Sequence, residues 1–462
     1  METMRRHLRR LLFSAFFMMG LLAVCGCRGS FPAPERVFLI TIDTLRADHL
    51  GLYGYPRETS PFLDSLGEAG LVFDSAYASS SNTAPSHASL FTSLYPAQHR
   101  VLRNGERLHE SLPTLAQLFQ EEGYETAAFT TVRFLEGLDN GFDHFHNEDR
   151  VHPAKTIFGR ATEWIRSRDP TERHFLWIHL YDVHQWNRSR QIDREALRAV
   201  RAEEPSGETM MEYLVREHRT LLDQGPKKVR WAVDRYDGQI VSTDAAVRSF
   251  YEAMESEGLG REALWIVTSD HGEGLGNHRF MGHGMAVYDE QIRVPLLYYF
   301  SDLRYPARRF DDLVRLVDVA PTLAELVGTS FKGDSIPAAG VSMLPLFEDA
   351  ESGWGVRDLF TQVHCAEKVQ RLRKRIPEEI YALRTARYKI IGRSDGEDEL
   401  YDLRNDPFEL ENLAADGTTP ETERLLEGLA RTYRAYLAQS EHLGSGEIDP
   451  DFVKQLRALG YL

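Results

Sequence analysis

Two predicted strands end in aspartate, and a histidine directly follows the second aspartate. The apolar run VFLITID ends at Asp43, and the run LWIVTSD ends at Asp270, next to His271. In open α/β sheets, ligands bind at the carboxyl ends of the strands, where burying an unpaired carboxylate is costly. Two carboxylates and an imidazole suit a divalent metal ion. The alternative, that each aspartate caps a helix, leaves the adjoining histidine unexplained, so we predict a metal site.

The segment SNTAPSHASLFTSLYP places several hydroxyl groups where a helix is predicted to begin. The free N–H groups and the positive dipole end of a helix N-terminus favour anionic groups. A threonine at this point, Thr83, can serve as both metal ligand and nucleophile, because a bound metal lowers the hydroxyl pKa and supplies an alkoxide. The alternative is that Thr83 or Ser86 only caps the helix.

The elements that must position these residues alternate between helix and strand along the chain. The run RVFLITI lacks polar alternation, which is typical of a buried, parallel-type strand. Helix-then-strand patterns recur in SPFLDSLGEAGLVF, LPTLAQLFQEEGYETAAFTT, KTIFGRATEWIRSR with HFLWIHLYDVH, and AVRSFYEAMESEGLGREALWIVTSD. This alternation predicts an α/β sandwich around a mostly parallel sheet. We also predict a helix over LVRLVDVAPTLAELVG, and a helix that opens at RYDGQI with Asp237 in a structural role.

Composition is ordinary for a globular protein but acidic. The 462 residues are 42% hydrophobic and 27% charged, with a formal net charge of −16. This balance argues against nucleic-acid binding, which normally requires a basic patch. An anionic substrate would need a local positive feature, such as a metal ion, to offset the acidic field.

The N-terminus predicts export. MRRHLRRLLFSAFFMMGLLAVCGC combines a basic start, an apolar run and a small-residue end, as secretory signals do. Its end resembles a bacterial lipobox with Cys27 as the lipidated residue. The alternative is an uncleaved membrane anchor; in both cases we expect the body outside the cytoplasm, tethered to a membrane of the cell envelope. Cys365 is then predicted to be a small buried hydrophobe.

Five ordered motifs resemble the sulfatase family within the alkaline-phosphatase-like superfamily. They are LITIDTLRADHLGLYGY, TAPSHASLFTSLYPAQH, VTSDHGEG, MGHGMAVYDEQIRVPLL and LYDLRNDPFELENLA. The resemblance runs from about Val37 to about Leu413. It implies an alkaline-phosphatase-like sandwich with a mostly parallel central sheet, followed by a small C-terminal α+β subdomain.

The resemblance also implies roles for individual residues. Asp43, Asp270 and His271 fall on metal-ligand positions, and Thr83 falls where sulfatases carry the Cys or Ser that becomes formylglycine. His184 falls on an active-site histidine and His283 on a substrate-side Lys or His. The pair could protonate the leaving oxygen, or hold a second metal with Asp182.

Three departures from the sulfatase pattern shift the expected chemistry. Thr83 cannot become formylglycine, His87 replaces the family arginine, and Thr44 replaces the second opening aspartate. These features resemble the threonine-nucleophile branch of the superfamily, which implies one divalent ion (Zn, Mn, Ca or Mg) on Asp43, Thr83, Asp270 and His271. His87 would orient Thr83, contact an anionic substrate oxygen, or merely begin the helix.

We therefore expect a metal-dependent sulfatase-family hydrolase of sulfate or phosphate esters with Thr83 as nucleophile. One alternative is a phosphodiesterase or a phosphoethanolamine- or phosphoglycerol-type transferase of the cell envelope. Another is a non-catalytic binding lipoprotein that keeps the fold.

The predicted organisation has four parts. Residues 1–27 form a lipoprotein-type signal, 35–350 a catalytic domain, 355–440 the C-terminal α+β subdomain and 441–462 an amphipathic tail. The highly charged stretch from 185 to 228 is predicted to be an inserted helical excursion.

Overall fold

The computed structural model describes residues 31–148, 150–188, 193–202, 225–331, 338–349, 354, 355, 357–365 and 377–415, with isolated positions between 419 and 431. The predicted signal with Cys27 and the predicted tail 441–462 lie outside the described residues. Among the residues described, no helix has both the length and the apolar character needed to cross a bilayer.

A nine-stranded sheet forms the centre of the fold. The strands up to residue 315 are β1 (Arg36–Ile42), β2 (Leu71–Tyr77), β3 (Tyr124–Thr130), β4 (His144–Asn147), β5 (Arg173–Leu180), β6 (Ala263–Thr268), β7 (Gly274–Leu275), β8 (Met281–Gly282), β9 (Arg293–Val294), β10 (Leu296–Phe300) and β11 (Arg308–Arg315). Their order in the sheet is β11-β2-β10-β6-β1-β5-β3-β4, with β9 beside β2, and β7 pairs only with β8.

Most neighbouring strands run parallel, as the sequence predicted. Strands β6, β1, β5, β3 and β4 form a continuous parallel block, and β10 is antiparallel to both of its neighbours. Strand β1 lies between β6 and β5, and all seven of its residues are buried. Because β1 and β6 are parallel neighbours, the residues that follow them meet at one edge of the sheet.

Helices cover the sheet in two groups. They are α1 (Pro61–Glu68), α2 (Thr83–Thr92), α3 (Pro96–His99), α4 (Leu115–Glu121), α5 (Ala154–Arg166), α6 (Arg194–Ala202), α7 (Pro226–Ser256), α8 (Asp289–Ile292), α9 (Val319–Leu326) and α10 (Leu344–Glu348). Helices α1, α5 and α6 pack on the long helix α7, whereas α2 and α4 pack on α9. Successive side chains of β1 face the two helix groups on opposite faces of the sheet. Phe38 and Ile40 pack in the same core as residues of α7, whereas Thr41 contacts α2.

A separate four-stranded antiparallel sheet follows the catalytic domain. Its strands β12 (Leu359–His364), β13 (Glu379–Arg384), β14 (Tyr388–Arg393) and β15 (Glu399–Asp402) pair in chain order. Cys365, at the end of β12, is fully buried, as predicted. The prediction of an α/β domain followed by a small C-terminal subdomain with its own sheet is confirmed.

One sequence prediction about helices is confirmed in part and another is wrong. In LVRLVDVAPTLAELVG, residues 313–315 belong to strand β11, because pairing with β2 continues to Arg315, and the helical part begins at residue 316 and includes α9; apolar runs this short fit a strand as well as a helix. The segment RYDGQI lies in the middle of α7 rather than at its start. Gly238 permits this helix to pass close to α6, since a Cβ there would lie 3.2 Å from the Leu197 Cα. Of the charged excursion, the structure describes α6 and the start of α7.

Candidate active site

Two buried carboxylates face each other at the carboxyl edge of the parallel sheet. Asp43 directly follows β1 and Asp270 lies two residues beyond β6, and their side chains are 0% and 1% exposed. Within the part of the chain that the structure describes, Asp43 Oδ1 and Asp270 Oδ2 have no hydrogen-bond partner. Among the described residues, no lysine or arginine forms an ion pair with either carboxylate. The structure thus brings together the two acids that the strand ends predicted, in an arrangement that lacks its counter-charge.

The electrostatics of this pair favour a positive group beside it. Burial raises the pKa of the Asp43 carboxyl well above its ordinary value, and the charge of Asp270 raises it further. Burial also opposes ionisation of Asp270, but His271 and the other neighbouring histidines outweigh it and lower its pKa. Two like charges at one buried place are stable together only when a positive group lies between them.

Thr83 is the first residue of α2, and its hydroxyl points at this pair. Thr83 Oγ1 lies 3.3 Å from Asp43 Oδ2, to which it donates, and 3.3 Å from His271 Nε2. The N-cap position belongs to Asn82, so Thr83 is not the capping residue. Ser86 donates instead to the Asp270 main-chain oxygen at 2.6 Å.

His271 presents one nitrogen to the same point. Its Nδ1 lies 2.9 Å from the carbonyl oxygen of Gly272, which can only accept, so Nδ1 carries the hydrogen, and in the neutral ring Nε2 is the nitrogen that offers a lone pair. Asp43, Asp270 and His271 offer ligand atoms that all lie within 4.8 Å of one another. Two carboxylates, an imidazole lone pair and a hydroxyl fit a divalent transition metal such as zinc or manganese.

Thr44 shapes the turn between Asp43 and the next element. Its φ angle is +62°, a left-handed conformation that is unusual for a β-branched residue. The strained turn aims the Thr44 N–H at Asp270 Oδ1, 3.3 Å away, while the Thr44 hydroxyl donates to the Asp43 main-chain oxygen at 2.7 Å. Thr44 therefore positions the two aspartates by hydrogen bonds and directs its hydroxyl to the main chain.

His87 is completely buried, with both ring nitrogens bonded to other parts of the chain. Nδ1 donates to the Thr83 carbonyl oxygen at 2.9 Å, and Nε2 lies 3.0 Å from Thr41 Oγ1, which accepts from Trp177 Nε1. Burial lowers the pKa of His87 to about 4. Of the alternatives weighed for His87, the geometry favours orientation of Thr83; contact with a substrate oxygen would require breaking one of these bonds.

Sequence reasoning missed His179, which lies beside the two acids. It stands near the end of β5, in register with Thr41 of β1, and its Nε2 lies 3.4 Å from Asp43 Oδ2. Burial lowers its pKa to about 4. The sign in the sequence that could have identified His179 is that it lies in the largely apolar run HFLWIHL. That position resembles an ordinary core position.

His184 and His283 line the other side of the site. The His283 ring lies 4.6 Å from the His271 ring and 4.9 Å from the His184 ring, centroid to centroid. His184 Nε2 lies 2.9 Å from Tyr181 Oη, and His283 Nδ1 lies 3.2 Å from Glu273 Oε1. The two predicted histidines therefore lie next to the potential metal ligands Asp43, Asp270 and His271.

Glu273 is a second residue that sequence reasoning missed. It is 2% exposed, and its other oxygen accepts from Trp186 Nε1 at 2.8 Å. Burial alone would lower the pKa of His283, but the Glu273 carboxylate outweighs it and raises that pKa. Burial and the neighbouring His283 lower the pKa of His184 well below its ordinary value. The two histidines are therefore suited to opposite protonation states.

Asp182, considered as a partner of these histidines in a second metal site, is used elsewhere. Both of its carboxylate oxygens accept from the Ala154 N–H, at 3.1 and 2.9 Å, at the N-terminus of α5. Among the described residues, the groups able to hold a metal do not combine Asp182 with His184 or His283. The carboxylate thus supports a helix end rather than the histidine pair.

Comparison with known families and proteins gives a consistent result. The family described as "Sulfatase" matches residues 35–329, which is more than half of the chain, and the family described as "N-sulphoglucosamine sulphohydrolase, C-terminal" matches residues 276–434. Among curated proteins, the Delta 4,5-hexuronate-2-O-sulfatase of Bacteroides thetaiotaomicron is 24% identical over 438 residues, covering 86% of this chain and 88% of that protein.

Solved structures share the fold. The phosphonate monoester hydrolase of Agrobacterium radiobacter superposes with a TM-score of 0.66 at 20% identity, covering 88% of this chain and 96% of that one. A structure described as a complex with its substrate D-glucosamine-2-N,6-O-disulfate superposes with a TM-score of 0.67 at 17% identity, covering 89% and 100%. At these identities the likeness establishes the fold, and the fold-class prediction is confirmed.

Proposed function

The chain belongs to the sulfatase family and is an ester hydrolase, and on that premise we propose that it cleaves sulfate or phosphate esters with Thr83 as nucleophile and a divalent metal as cofactor. One observation carries this proposal: the Thr83 hydroxyl lies 3.3 Å from both Asp43 Oδ2 and His271 Nε2, beside two carboxylates without counter-charge. A non-catalytic role would leave this buried arrangement unexplained.

The residues that would hold the metal are Asp43, Thr83, Asp270 and His271. When bound, a divalent ion lowers the pKa of a ligating hydroxyl and neutralises charge on a phosphoryl or sulfuryl group. The chain supplies the rest of the positioning. Helix α2 fixes Thr83 at its first turn, and the His87 ring bonds to the Thr83 carbonyl, so the hydroxyl has little freedom to turn away.

The proposed reaction uses hydrogen bonds of the site. Thr83 Oγ1 already directs its hydrogen to Asp43 Oδ2, so that carboxylate receives the proton as Oγ1 attacks phosphorus or sulfur. His283, held by Glu273, is placed to protonate the leaving oxygen. General acid–base help of this kind is typically worth roughly a hundred- to ten-thousandfold in rate. Water then attacks the phosphorus or sulfur of the threonine ester and gives a proton to His283, while Asp43 returns its proton to the departing Thr83 oxygen and so regenerates the hydroxyl.

The chemistry of threonine favours phosphorus over sulfur. A formylglycine diol releases sulfate because a second hydroxyl on the same carbon expels it, and Thr83 has no such hydroxyl. The covalent ester on Thr83 must instead be cleaved by attack at the phosphorus or sulfur atom. Both ester classes remain within the proposal because relatives include a hexuronate sulfatase and a phosphonate monoester hydrolase.

A second candidate follows from the same nucleophile. With a phosphodiester substrate, a phosphoryl ester on Thr83 that is resolved by water would make the protein a phosphodiesterase, whereas one resolved by an acceptor hydroxyl would make it a phosphoethanolamine- or phosphoglycerol-type transferase. The threonine in place of Cys or Ser supports this candidate.

The test is a panel of aryl sulfate, aryl phosphate, diaryl phosphate and aryl phosphonate esters, assayed with chelator-stripped protein reloaded with Zn²⁺, Mn²⁺, Ca²⁺ or Mg²⁺. We expect Thr83→Ala to abolish cleavage and Thr83→Ser to retain part of it, since serine keeps the oxygen. Intact-mass measurement after a rapid quench should find the covalent ester in wild type and not in Thr83→Ala.

A matched control is available on the same helix. The Thr92 hydroxyl donates to the Ala88 carbonyl within α2, away from the acids, so Thr92→Ala should keep wild-type rates. Equal rates for metal-loaded wild type and Thr83→Ala would refute the assignment of Thr83. No cleavage of any ester by metal-loaded wild type would refute the substrate class.

We further propose that the protein is exported and anchored by lipid at Cys27. The support is the basic, apolar and small-residue order of its first 27 residues. In a bacterial host, labelled fatty acid should be incorporated into wild type and not into Cys27→Ala. Retention of Cys27→Ala in the membrane fraction would favour the uncleaved anchor instead.

A further inference from the structure

A group of potential metal ligands lies at the edge of the sheet opposite the candidate active site. Glu125, Glu172 and His174 offer ligand atoms that all lie within 4.8 Å of one another. Glu125 and His174 stand at the amino ends of β3 and β5, whereas the candidate active site lies beyond the carboxyl ends of the strands. His179, which adjoins the active-site acids, is roughly 16 Å further along β5 at the usual rise of a strand. The group is therefore separate from the active site.

Strand pairing brings these residues together. His174 lies in register with Glu125 of β3 on one side and with Arg36 of β1 on the other. Residues in register share a face of the sheet, and on this face the Trp164 ring of α5 packs edge-on against the His174 ring, with 5.8 Å between centroids. His174 Nε2 lies 3.7 Å from Glu125 Oε2. Glu172 reaches the same place from the connection between α5 and β5.

The histidine of this group is buried without a hydrogen-bond partner. The His174 side chain is 1% exposed, and among the described residues neither of its ring nitrogens has a partner. Burying an unpaired polar group is costly, so the ring points to a bound group that is not part of the chain. Burial, together with the nearby Arg36 and Arg168, lowers the pKa of His174 to about 4. A low pKa favours the unprotonated ring that metal binding requires.

The two carboxylates leave oxygens for an ion. Glu125 Oε1 accepts from Arg168 Nη1 at 3.0 Å, and Oε2 is the oxygen that faces His174. Arg36 directs its Nη2 to a main-chain carbonyl oxygen in the connection between α5 and β5. Glu172 is exposed, so water and ions can reach the group from the surface. One imidazole nitrogen and two carboxylate oxygens suit a zinc ion whose remaining position is taken by water.

We propose that Glu125, Glu172 and His174 bind one divalent transition-metal ion, such as zinc, at the amino edge of the sheet. The ion links the connection between α5 and β5, which carries Glu172, to the neighbouring strand β3, which carries Glu125. Substrates of open α/β sheets bind at the carboxyl ends of the strands, so an ion at the opposite edge stabilises the fold and takes no part in the reaction. The inference goes beyond the proposed function and does not depend on the metal proposed there.

The test counts bound zinc. Full-length protein is stripped with chelator, equilibrated with Zn²⁺, freed of excess metal by gel filtration and analysed for zinc per chain by mass spectrometry. The double variant Glu125→Gln/Glu172→Gln should bind about one ion fewer than wild type, because both anionic ligands are removed. His174→Leu, which removes only the imidazole, should lose the same ion. Zn²⁺ should also raise the Tm of wild type by more than that of either variant, since an ion that binds the folded state stabilises it.

A matched control removes two carboxylates elsewhere. Glu163 and Glu252 are 73% and 58% exposed, and each pairs with an arginine on its own helix. The variant Glu163→Gln/Glu252→Gln therefore changes the net charge as much as the double variant does. It should bind as much zinc as wild type and show the same rise in Tm. An equal loss of zinc in this control would attribute the effect to overall charge and overturn the proposed site.

The difference between wild type and variant separates this inference from the proposed function. About two ions in wild type and about one in Glu125→Gln/Glu172→Gln would support both sites, whereas about one and none would support this site and contradict the active-site ion. As much zinc in either folded variant as in wild type would overturn the inference and leave the active-site ion intact. Because Glu125 and Glu172 are not fully buried, the double variant tests the site even if His174→Leu does not fold.

Discussion

Two buried groups of charged side chains differ in how completely the chain pairs them. The first is the active-site group described above, in which Asp43 and Asp270 have no cationic partner among the described residues. The second, here called the junction cluster, joins the catalytic domain to the C-terminal sheet. It consists of Asp289, Lys389, Glu409, His278 and Glu290.

In the junction cluster, each acid has a basic partner. Lys389 Nζ lies 2.8 Å from Asp289 Oδ1 and 2.6 Å from Glu409 Oε1, and the lysine is 0% exposed. His278 Nδ1 lies 2.9 Å from Glu290 Oε1. Buried ion pairs that are complete within the chain hold elements together, whereas buried charges without partners require a ligand. The difference indicates a structural role for the junction cluster and favours a binding role for the active-site group.

The largest effect that tests this contrast is expected from Asp270→Asn. Asparagine keeps an oxygen for the Thr44 and His271 N–H groups but cannot supply a second ligating carboxylate charge. Activity should fall on the order of a thousandfold or more, since metal stabilisation of the transition state is worth several kcal/mol. The metal-free variant should be at least as stable as metal-free wild type, because the charge that raises the Asp43 pKa is removed.

The measurements for Asp270→Asn are ester cleavage, and urea unfolding in the presence of chelator. A metal-free variant clearly less stable than metal-free wild type would show that Asp270 stabilises the fold, as Asp289 does. The active-site group and the junction cluster would then not differ in role.

At the junction, Lys389→Met should lower stability without affecting the chemical step. The substitution keeps the length of the side chain but leaves Asp289 and Glu409 buried without their cation, which typically costs about 3–5 kcal/mol. Urea unfolding measures this loss. Arg387→Met is the control on the same hairpin: Arg387 pairs with Asp402 at 2.9 Å but is 54% exposed, and such surface pairs are worth about 0–1 kcal/mol. Equal losses in the two variants would contradict the structural role of Lys389.

The sequence predicted the active-site group better than the junction cluster, for a physical reason. The apolar runs that end at Asp43 and Asp270 identify buried parallel strands, and parallel neighbours end at the same edge of a sheet. Thr83 was found because a hydroxyl at a helix start has a recognisable chemistry. Lys389, in the strand RYKIIGR, gives no comparable signal, since only the folded chain shows that it is buried against Asp289.

His179 shows the limit of the same reasoning within the site. Its position in HFLWIHL fits the pattern of a core strand, and no spacing rule connects it to Asp43. The connection comes from the pairing of β5 with β1, which sets His179 opposite Thr41. Strand order is a tertiary property, so residues on neighbouring strands become neighbours only once the topology is known.

A pH-dependent effect of intermediate size is expected from His278→Gln. Burial alone would lower the pKa of His278, but the ion pair with Glu290 and the contact with Glu409 raise it from 6.5 to about 9. A raised folded-state pKa stabilises the fold fully below about pH 6.5, and the contribution is lost as the pH rises through about 9. We expect His278→Gln to lose on the order of 2–3 kcal/mol at pH 6 and much less at pH 9.5.

Urea unfolding of wild type and His278→Gln at both pH values measures this difference. The other groups facing the ring are the stacked Tyr288 side chain, 3.7 Å away between centroids, and the Glu409 main-chain oxygen. A wild-type advantage that does not change with pH would mean that His278 contributes packing and not charge.

The smallest effect, from Glu273→Gln, tests the boundary between the two groups. The Glu273 N–H donates to the Glu290 carbonyl of the junction side at 3.0 Å, while its carboxylate contacts His283 and Trp186. Glutamine keeps an acceptor for Trp186 but removes the charge that holds a proton on His283. The value of kcat should fall about tenfold to a hundredfold, part of what acid–base help supplies, with KM, bound metal and urea stability near wild type. A loss of stability with unchanged kcat would instead show that Glu273 serves the fold, as the junction cluster does. Pairing of a buried charge would then no longer distinguish residues of the fold from residues of the site.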